Sequence, residues 1–302
     1  MSLSSTELEK TFGALFDQIP MLENRSELRE LSGGITNRNI AVTIDGFKYV
    51  ARISSSATSL LSIDRAAEFA NSKIAAESNI GAPVHEYHPE HGLLIIGFLE
   101  GRAYSAADVS ANLPRIAESC RQLHASKPFV RDFDMFKVQK SYLSIVHARG
   151  FKIPYDYLDY EKYVQQLYAA FSSTPLTLVP CNNDLLPANF IDDGKKIWLI
   201  DYEYSGNNDP CFELGNIWSE AKLSYPELVE LVDAYYGSHR PEKIARAWLF
   251  SVLAKYGWTL WASIQDGTSE IEFDFWSWGM EKYEESLRLF TSDQFKREIA
   301  AL

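Results

Sequence analysis

The sequence predicts an α+β protein in two lobes, a small β-rich N-terminal lobe over residues 1–97 and a larger, mostly helical lobe over 98–302. Three observations carry this expectation. Strand-like runs and a tight-turn dipeptide crowd the N-terminal third. Helical periodicity dominates from about Glu100 onward. One hairpin signal, at 189–201, interrupts the helices. A length of 302 residues suffices for two lobes, each with its own core.

The elements follow in order. Thr6-Glu7-Leu8-Glu9 has the pattern of a capping box, and Leu8, Phe12, Leu15 and Phe16 recur at helical spacing behind it. After a polar turn, "IAVTI" and "FKYVARI" read as strands joined by Asp45-Gly46, a strong two-residue hairpin signal. "SIDRAAEFANSKIAAES" reads as a helix with Asp64 as its N-cap. "APVHEY" and "GLLIIGF" read as strands about the loop "HPEH", and Gly97 to Gly101 as the crossing between lobes. Helices are then expected over Ala106 to His124, Glu161 to Phe171, Pro226 to Tyr236, Lys243 to Gln265 and Phe273 to Phe290. Asp209-Pro210 starts a further one, with Asp209 as N-cap and Pro210 in the first turn. The island "NFIDDGKKIWLID" reads as a hairpin turning at Asp193-Gly194 and ending on Asp201.

Composition narrows the function classes. Hydrophobic residues make up 46% and charged residues 23%, ordinary values for a globular chain. A net charge of −12 with no basic stripe argues against nucleic acid as a partner. The absence of a long apolar run and of a leader-like N-terminus argues against membrane insertion and secretion. Three scattered cysteines, Cys120, Cys181 and Cys211, argue against a disulfide framework or a zinc site and fit a reducing cytoplasm.

The chemistry concentrates at 180–201. Asp184 is placed in a loop, Asn189 at the start of the island's first strand, and Asp201 at the end of its second. A short hairpin brings its outer ends together, so Asn189 and Asp201 should meet with Asp184 close by. Two oxygen ligands suit Mg²⁺, which fills its remaining positions with water and substrate phosphates. A spare carboxylate, Asp184, could orient a hydroxyl and take its proton. Phosphoryl transfer to an alcohol needs these parts and little else. Taken singly, Asp184 and Asn189 read as turn residues and Asp201 as a strand terminator; the joint spacing favours the site.

These residues resemble a family. "NNDLLPANF" followed by "WLIDYEYSGNNDPCFELGN" is similar to the catalytic segment of choline/ethanolamine kinases and the wider aminoglycoside phosphotransferase group, His-x-Asp-x4-Asn and an apolar run into Ile-Asp. The resemblance extends from about Leu31 to Leu289 and implies a bilobal protein-kinase-like fold. It implies that Asp184 is the catalytic base and that Asn189 and Asp201 hold Mg²⁺. The chain departs from the pattern at Asn182, where the family has His.

The resemblance also implies ATP in the cleft. "SGGITNRN" is similar to the family's phosphate-side loop, where Gly33 and Gly34 admit close backbone approach and Thr36 and Asn37 offer donors. Arg52 falls where protein kinases carry lysine, and Glu68, on the following helix, is its expected partner, with Glu77 as a fallback. Backbone groups at Gly97, Phe98 and Leu99 are expected to read adenine.

For the acceptor, Trp258 and Trp261 lie three apart in "YGWTLWASIQ". Aromatics at that spacing ordinarily just pack, yet tryptophan faces also hold quaternary ammonium groups. By resemblance, Trp258 and Trp261 form a cage, Glu220 supplies the counter-charge, and Tyr204 is a further aromatic wall. The expected activity is Mg-ATP-dependent phosphorylation of choline or a similar small amino alcohol. The alternatives are another cationic acceptor (ethanolamine, thiamine, an aminoglycoside) or a binding module that has lost the chemistry, for which Asn182 is the sequence argument. His85, His88 and His91 cluster, but "HPEH" reads as a hairpin loop with no cysteine or positioned carboxylate to complete a metal site, and His124 reads as a core or capping residue.

Overall fold

The computed structural model describes residues 3–31, 36–54 and 60–302. Gly33 and Gly34, expected at the phosphate loop, lie outside the described residues. The chain opens with helix α1 (Ser5–Phe16), capped by a reciprocal box in which Glu7 N–H donates to Ser4 Oγ and Ser4 N–H to Glu7 Oε2. The box thus sits two residues earlier than the Thr6–Glu9 frame, because "SSTE" offers a hydroxyl three residues before an earlier glutamate.

Strands β1 (Arg25–Leu31), β2 (Asn37–Ile44), β3 (Phe47–Ser54), β4 (Val84–His88) and β5 (Leu93–Gly97) form one sheet in the order β1-β2-β3-β5-β4. The β2–β3 hairpin turns at Asp45 and Gly46, whose φ angles of 51° and 83° are those of a two-residue primed turn. Strand β1 was not expected. Its sequence "RSELREL" carries charges on both faces, which an edge strand tolerates and which hides it from an alternation test. Leu8, Phe16, Ile19 and Leu22 pack with Ile40, Val42, Ala51 and Ile95 in a core of their own beside this sheet.

Helix α2 (Arg65–Glu77) is capped by Asp64, which accepts from the amides of Ala66 and Ala67. The segment expected as one helix over 106–124 is two, α3 (Ala106–Ser110) and α4 (Leu113–His124), broken ahead of Pro114. Helix α5 (Met135–Arg149) was not expected; α6 (Glu161–Ser172) was. Short strands β6 (Arg102–Ala103), β8 (Phe190–Asp192) and β9 (Ile197–Leu199) pair in the order β6-β8-β9, and β7 (Val179–Cys181) pairs with β10 (Gly206–Asn208). Helices α7 (Pro210–Glu220), α8 (Tyr225–Tyr236), α9 (Pro241–Thr268), α10 (Phe275–Phe290) and α11 (Asp293–Ala300) complete the chain.

Every residue of α9 from Ile244 to Gln265 is buried, because α5, α7 and α10 cover it on different sides. The contact with α7 is backbone to backbone: a Cβ on Gly215 would stand 2.1 Å from the Ala247 carbonyl oxygen. That close approach fixes the end of α7, and with it Glu220, against the tryptophans of α9. The larger core also takes in Leu61, Ile63, Ala75 and Ile80 from the N-terminal part, while α2 packs on β4, where Phe69 stacks on Tyr87.

Candidate active site

The β8–β9 hairpin pairs Phe190 with Leu199 and Asp192 with Ile197. At its open end Ile200 N–H donates to Asn189 C=O at 3.1 Å, which seats Asn189 beside the Ile200-Asp201 segment. Asn189 Nδ2 in turn donates to Asp184 C=O at 2.8 Å. Asp184, Asn189 and Asp201 therefore line one cleft of about 640 Å³, open to solvent. The Asn189 Oδ1 and the Asp184 carboxylate have no hydrogen-bond partner among the described residues. A free amide oxygen close to the Asp201 carboxylate is a donor set that fits a hard divalent cation.

A third carboxylate, Glu203, also lines this cleft. It escaped the sequence reading, because it follows Asp201 in a turn whose left-handed start at Asp201 no strand periodicity describes. Glu203 accepts from Thr36 Oγ1 at 2.7 Å and Asn37 Nδ2 at 2.8 Å. The two residues expected to offer donors to phosphate thus bridge to Glu203.

Arg52, on β3, points into the same region. Its Nε lies 3.2 Å from Glu68 Oε1, and its NH2 lies 2.5 Å from Asp201 Oδ1 and 3.2 Å from Glu203 Oε2. Burial works against its charge, but the Asp201, Glu68 and Glu203 carboxylates outweigh that and hold the guanidinium firmly protonated. Arg65 joins the cluster at 2.6 Å from Glu68 and 3.3 Å from Glu203. Glu77, the fallback partner, instead pairs with Lys127 at the surface, 3.0 Å away, since it lies on another face of α2. Behind Arg52 a narrower recess is walled by Ala82, Leu94, Ile96 and Ile200. At the crossing segment, Gly97 N–H already donates to Pro83 C=O and Phe98 N–H to Lys48 C=O, so of these three amides Leu99 N–H is the one without a partner among the described residues.

The other half of the cleft is aromatic. Trp258 and Trp261, one turn apart on α9, line it with Tyr204 and with Trp278 from α10. Trp261 Nε1 donates to Tyr204 Oη at 2.7 Å, and the Tyr204 and Trp258 rings stand 5.1 Å apart. Trp261 and Trp278 meet edge to face at 5.4 Å. Both α9 tryptophans are core residues as well as wall residues, at 6% and 4% exposure. Trp278 was missed; "FWSW" reads as generic helix packing until α10 is seen to lie along α9. Glu220 ends α7 at the same wall and pairs with Lys282 Nζ at 2.6 Å.

Asp184 stands between the two halves. Burial pushes its carboxyl well above the ordinary range, and Asp201, Glu203 and Glu220 push in the same direction while Lys282 opposes them. The loop that carries it is held from behind. Glu213 accepts from the amides of Asn182 (3.1 Å) and Asn183 (2.6 Å) and meets His124 Nε2 at 3.2 Å. Glu213, His124 and Cys181 bring ligand atoms within 4.8 Å of one another. Both Glu213 oxygens already serve backbone amides, so the cluster acts as a brace for the loop, and His124 is a core residue as its sequence context suggests. His85 stacks edge to face on Tyr49, and His88 pairs with Glu86 at 2.8 Å.

A five-stranded sheet and a helical region joined by a short crossing make up a protein-kinase-like fold, and the relatives that share it mark the chain as a phosphotransferase acting on an alcohol group. The family model for choline/ethanolamine kinase matches residues 28–237, and the chain belongs to that family. Protein LicA of Haemophilus influenzae is 27% identical over 255 residues, covering 79% of this chain and 73% of LicA. Ethanolamine kinase 1 of Mus musculus is 27% identical over 322 residues, covering 91% of this chain and 85% of the relative. A crystal structure of a choline/ethanolamine kinase family protein from Mesorhizobium loti superposes with a TM-score of 0.84 at 28% identity, covering 97% of this chain and 98% of that one. Among the described residues no helix is long and apolar enough to cross a membrane.

Proposed function

We propose that this chain transfers the γ-phosphoryl group of ATP to the hydroxyl of choline or a related small amino alcohol. One observation carries the reading: Asp184 lies in a single cleft between an oxygen-rich cluster (Asn189, Asp201, Glu203) and a wall of three tryptophans with a carboxylate, Glu220. That arrangement supports a carboxylate that accepts a hydroxyl proton, with phosphate at one end of the cleft and the cation at the other.

The roles follow from position. The aromatic wall and Glu220 take the cationic head and leave the acceptor hydroxyl toward Asp184. Asp184 orients that hydroxyl and accepts its proton as the acceptor oxygen bonds to the γ-phosphorus. The bond from phosphorus to the β,γ-bridging oxygen breaks, and ADP carries those electrons away. Burial and the neighbouring carboxylates raise the proton affinity of Asp184, which suits a base. Asn189 Oδ1 and Asp201, with Glu203 behind them, are the groups that would hold Mg²⁺, which would supply charge neutralisation at the phosphates. Arg52, oriented by Glu68, adds a permanent positive charge beside Asp201. The recess walled by Leu94 and Ile96 is where the base would sit, and Leu99 N–H, on the crossing segment, would donate to it.

Asn182 gives the binding-module alternative no support from geometry. Its Nδ2 donates to the carbonyls of Ile200 and Asp201, and its Oδ1 accepts the Asp184 amide, so it ties the two halves of the oxygen cluster together.

The test is coupled ADP release with Mg-ATP over choline, ethanolamine, thiamine and an aminoglycoside, repeated with the metal chelated. Turnover with an amino alcohol that chelation abolishes is the expected result. Turnover with thiamine or the aminoglycoside alone would keep Asp184 and discard the aromatic cage. Nucleotide binding without turnover on any acceptor would refute the proposed chemistry.

A further inference from the structure

Among the described residues that line the cleft, Glu220 is the carboxylate at its aromatic end, and its Oε1 is already paired. Lys282 Nζ lies 2.6 Å from its Oε1, and the two side chains are 11% and 12% exposed. The same ammonium sits 4.3 Å above the ring of Trp278, one turn earlier on α10. Lys282 thus occupies both kinds of contact that a cationic acceptor would seek, a carboxylate and a tryptophan face. The neighbouring buried Lys255 is engaged elsewhere, with Ser219 Oγ at 2.5 Å and Glu285 Oε2 at 3.0 Å.

Resting on the amino-alcohol reading above, we infer that Lys282 is a specificity-determining residue that disfavours primary ammonium acceptors relative to quaternary ones by holding Glu220. The reasoning is a count of donors. A quaternary ammonium has no N–H and is satisfied by ring faces and a diffuse negative field. A primary ammonium brings three N–H groups, and a wall of tryptophans offers them no acceptor. Each donor left unpaired on burial is penalised. The acceptor that would relieve the penalty, Glu220, gives its Oε1 to Lys282, and a second ammonium could reach it only at Oε2, beside the Lys282 charge, whose repulsion offsets the gain. Displacing Lys282 would leave a lysine ammonium buried over Trp278 without its counter-ion, so the primary amine gains little by doing so. Lys282 acts through Glu220, and therefore on discrimination between acceptors more than on the chemical step.

The experiment is steady-state kinetics with choline and ethanolamine on the full chain, for the wild type, Lys282→Met, Lys282→Arg, Glu220→Gln and the double variant Lys282→Met/Glu220→Gln. In Lys282→Met the freed carboxylate can accept from a primary ammonium. The choline-to-ethanolamine ratio of kcat/KM should fall about tenfold, the worth of one charge-assisted hydrogen bond after desolvation, and the change should lie in the KM for ethanolamine. Lys282→Arg should restore the wild-type ratio, and the double variant should abolish the shift. Glu220→Gln alone, with Lys282 intact, should weaken both acceptors by similar factors, because neither uses Glu220 as a hydrogen-bond acceptor; this arm decides the matter even if Lys282→Met does not fold. A ratio unchanged within about twofold in Lys282→Met, or a loss confined to ethanolamine in Glu220→Gln, overturns the inference and leaves the amino-alcohol reading in place. Wild-type protein that phosphorylates no amino alcohol overturns both.

Discussion

Replacing Arg52 by Gln tests whether the two sides of the cleft are coupled by charge. The guanidinium is 7% exposed and serves three carboxylates, Glu68, Asp201 and Glu203. Removing one partner of a buried ion pair costs about 3–5 kcal/mol, because the remaining charge is stranded. Arg65 stays in contact with Glu68 and Glu203, so the lower end applies, about 3 kcal/mol. At about 2–4 °C per kcal/mol for a large domain, the midpoint of unfolding should drop by about 6–12 °C near neutral pH. The pH dependence identifies the cause. Burial and the charge of Asp201 already hold the Glu203 carboxyl above its usual range, and Arg52 is the main group pulling it down. Without Arg52 its folded-state proton affinity rises further. A carboxyl whose pKa is raised on folding lends stability that is present at low pH and lost as pH rises through the folded value. The deficit of Arg52→Gln should therefore be largest near about pH 8 and shrink toward about pH 5. Thermal unfolding monitored by circular dichroism across that range reads it. An equal deficit at both ends would mean lost packing, and no deficit would mean that Arg52 does not couple the cluster; either result refutes the electrostatic argument.

Asp184→Asn should cut kcat by at least about 10²–10⁴-fold while leaving ATP affinity within a small factor, since only the hydroxyl loses its base; isothermal titration beside the turnover assay separates the two. The same variant should unfold at a higher temperature than the wild type at alkaline pH, where Asp184 carries a charge that burial penalises, and the gain should fade as pH falls and the wild-type carboxyl takes up its proton. Trp258→Ala or Trp261→Ala should weaken choline binding by up to about 30-fold, the worth of a desolvated cation–π contact of about 2 kcal/mol, with nucleotide binding unchanged. Gly215→Ala should destabilise by about 1–3 kcal/mol, because its Cβ would collide with the Ala247 carbonyl and push α7 off α9; the acceptor KM should rise with it, as Glu220 moves away from the tryptophans.

The parts of the site readable in the sequence are those that local geometry determines. The Asp193-Gly194 turn sets the hairpin, and the hairpin sets Asn189 beside the Asp201 segment. The Arg52–Glu68 pair came from the family resemblance, which sets a cation on that strand against a carboxylate on the following helix. What escaped depends on packing between distant segments. Trp278 joins the aromatic wall, with Lys282 over its ring, only because α10 lies along α9, and no periodicity within α10 distinguishes a cleft face from a core face. Glu203 was passed over because its partners, Thr36, Asn37, Arg52 and Arg65, all come from the N-terminal region. Strand β1 and helices α5 and α11 escaped for a related reason: edge and surface elements carry mixed polarity, and the pairing or docking that makes them regular is non-local.

The residue that seemed to weaken the case for chemistry is better understood as part of the frame that makes it possible. Asn183 and Asp201 both adopt left-handed backbone angles, with φ of 68° and 66°, a conformation that Asn and Asp take up more readily than other L-residues where hydrogen bonds support it. Such angles persist only where the surroundings over-determine them. Here Glu213 holds the amides of Asn182 and Asn183, Asn183 Nδ2 donates to Tyr204 C=O at 3.0 Å, and Asn208 Nδ2 donates to Asn183 Oδ1 at 2.8 Å. Asn182 closes the frame by donating from one nitrogen to the carbonyls of Ile200 (3.0 Å) and Asp201 (2.9 Å) while accepting the Asp184 amide at 3.1 Å. A neutral imidazole has one donor and one acceptor nitrogen and could make at most two of those three bonds. In this backbone an amide side chain satisfies more of the loop than histidine would, so Asn182 locks Asp184 to Asp201 and its presence is consistent with an intact site.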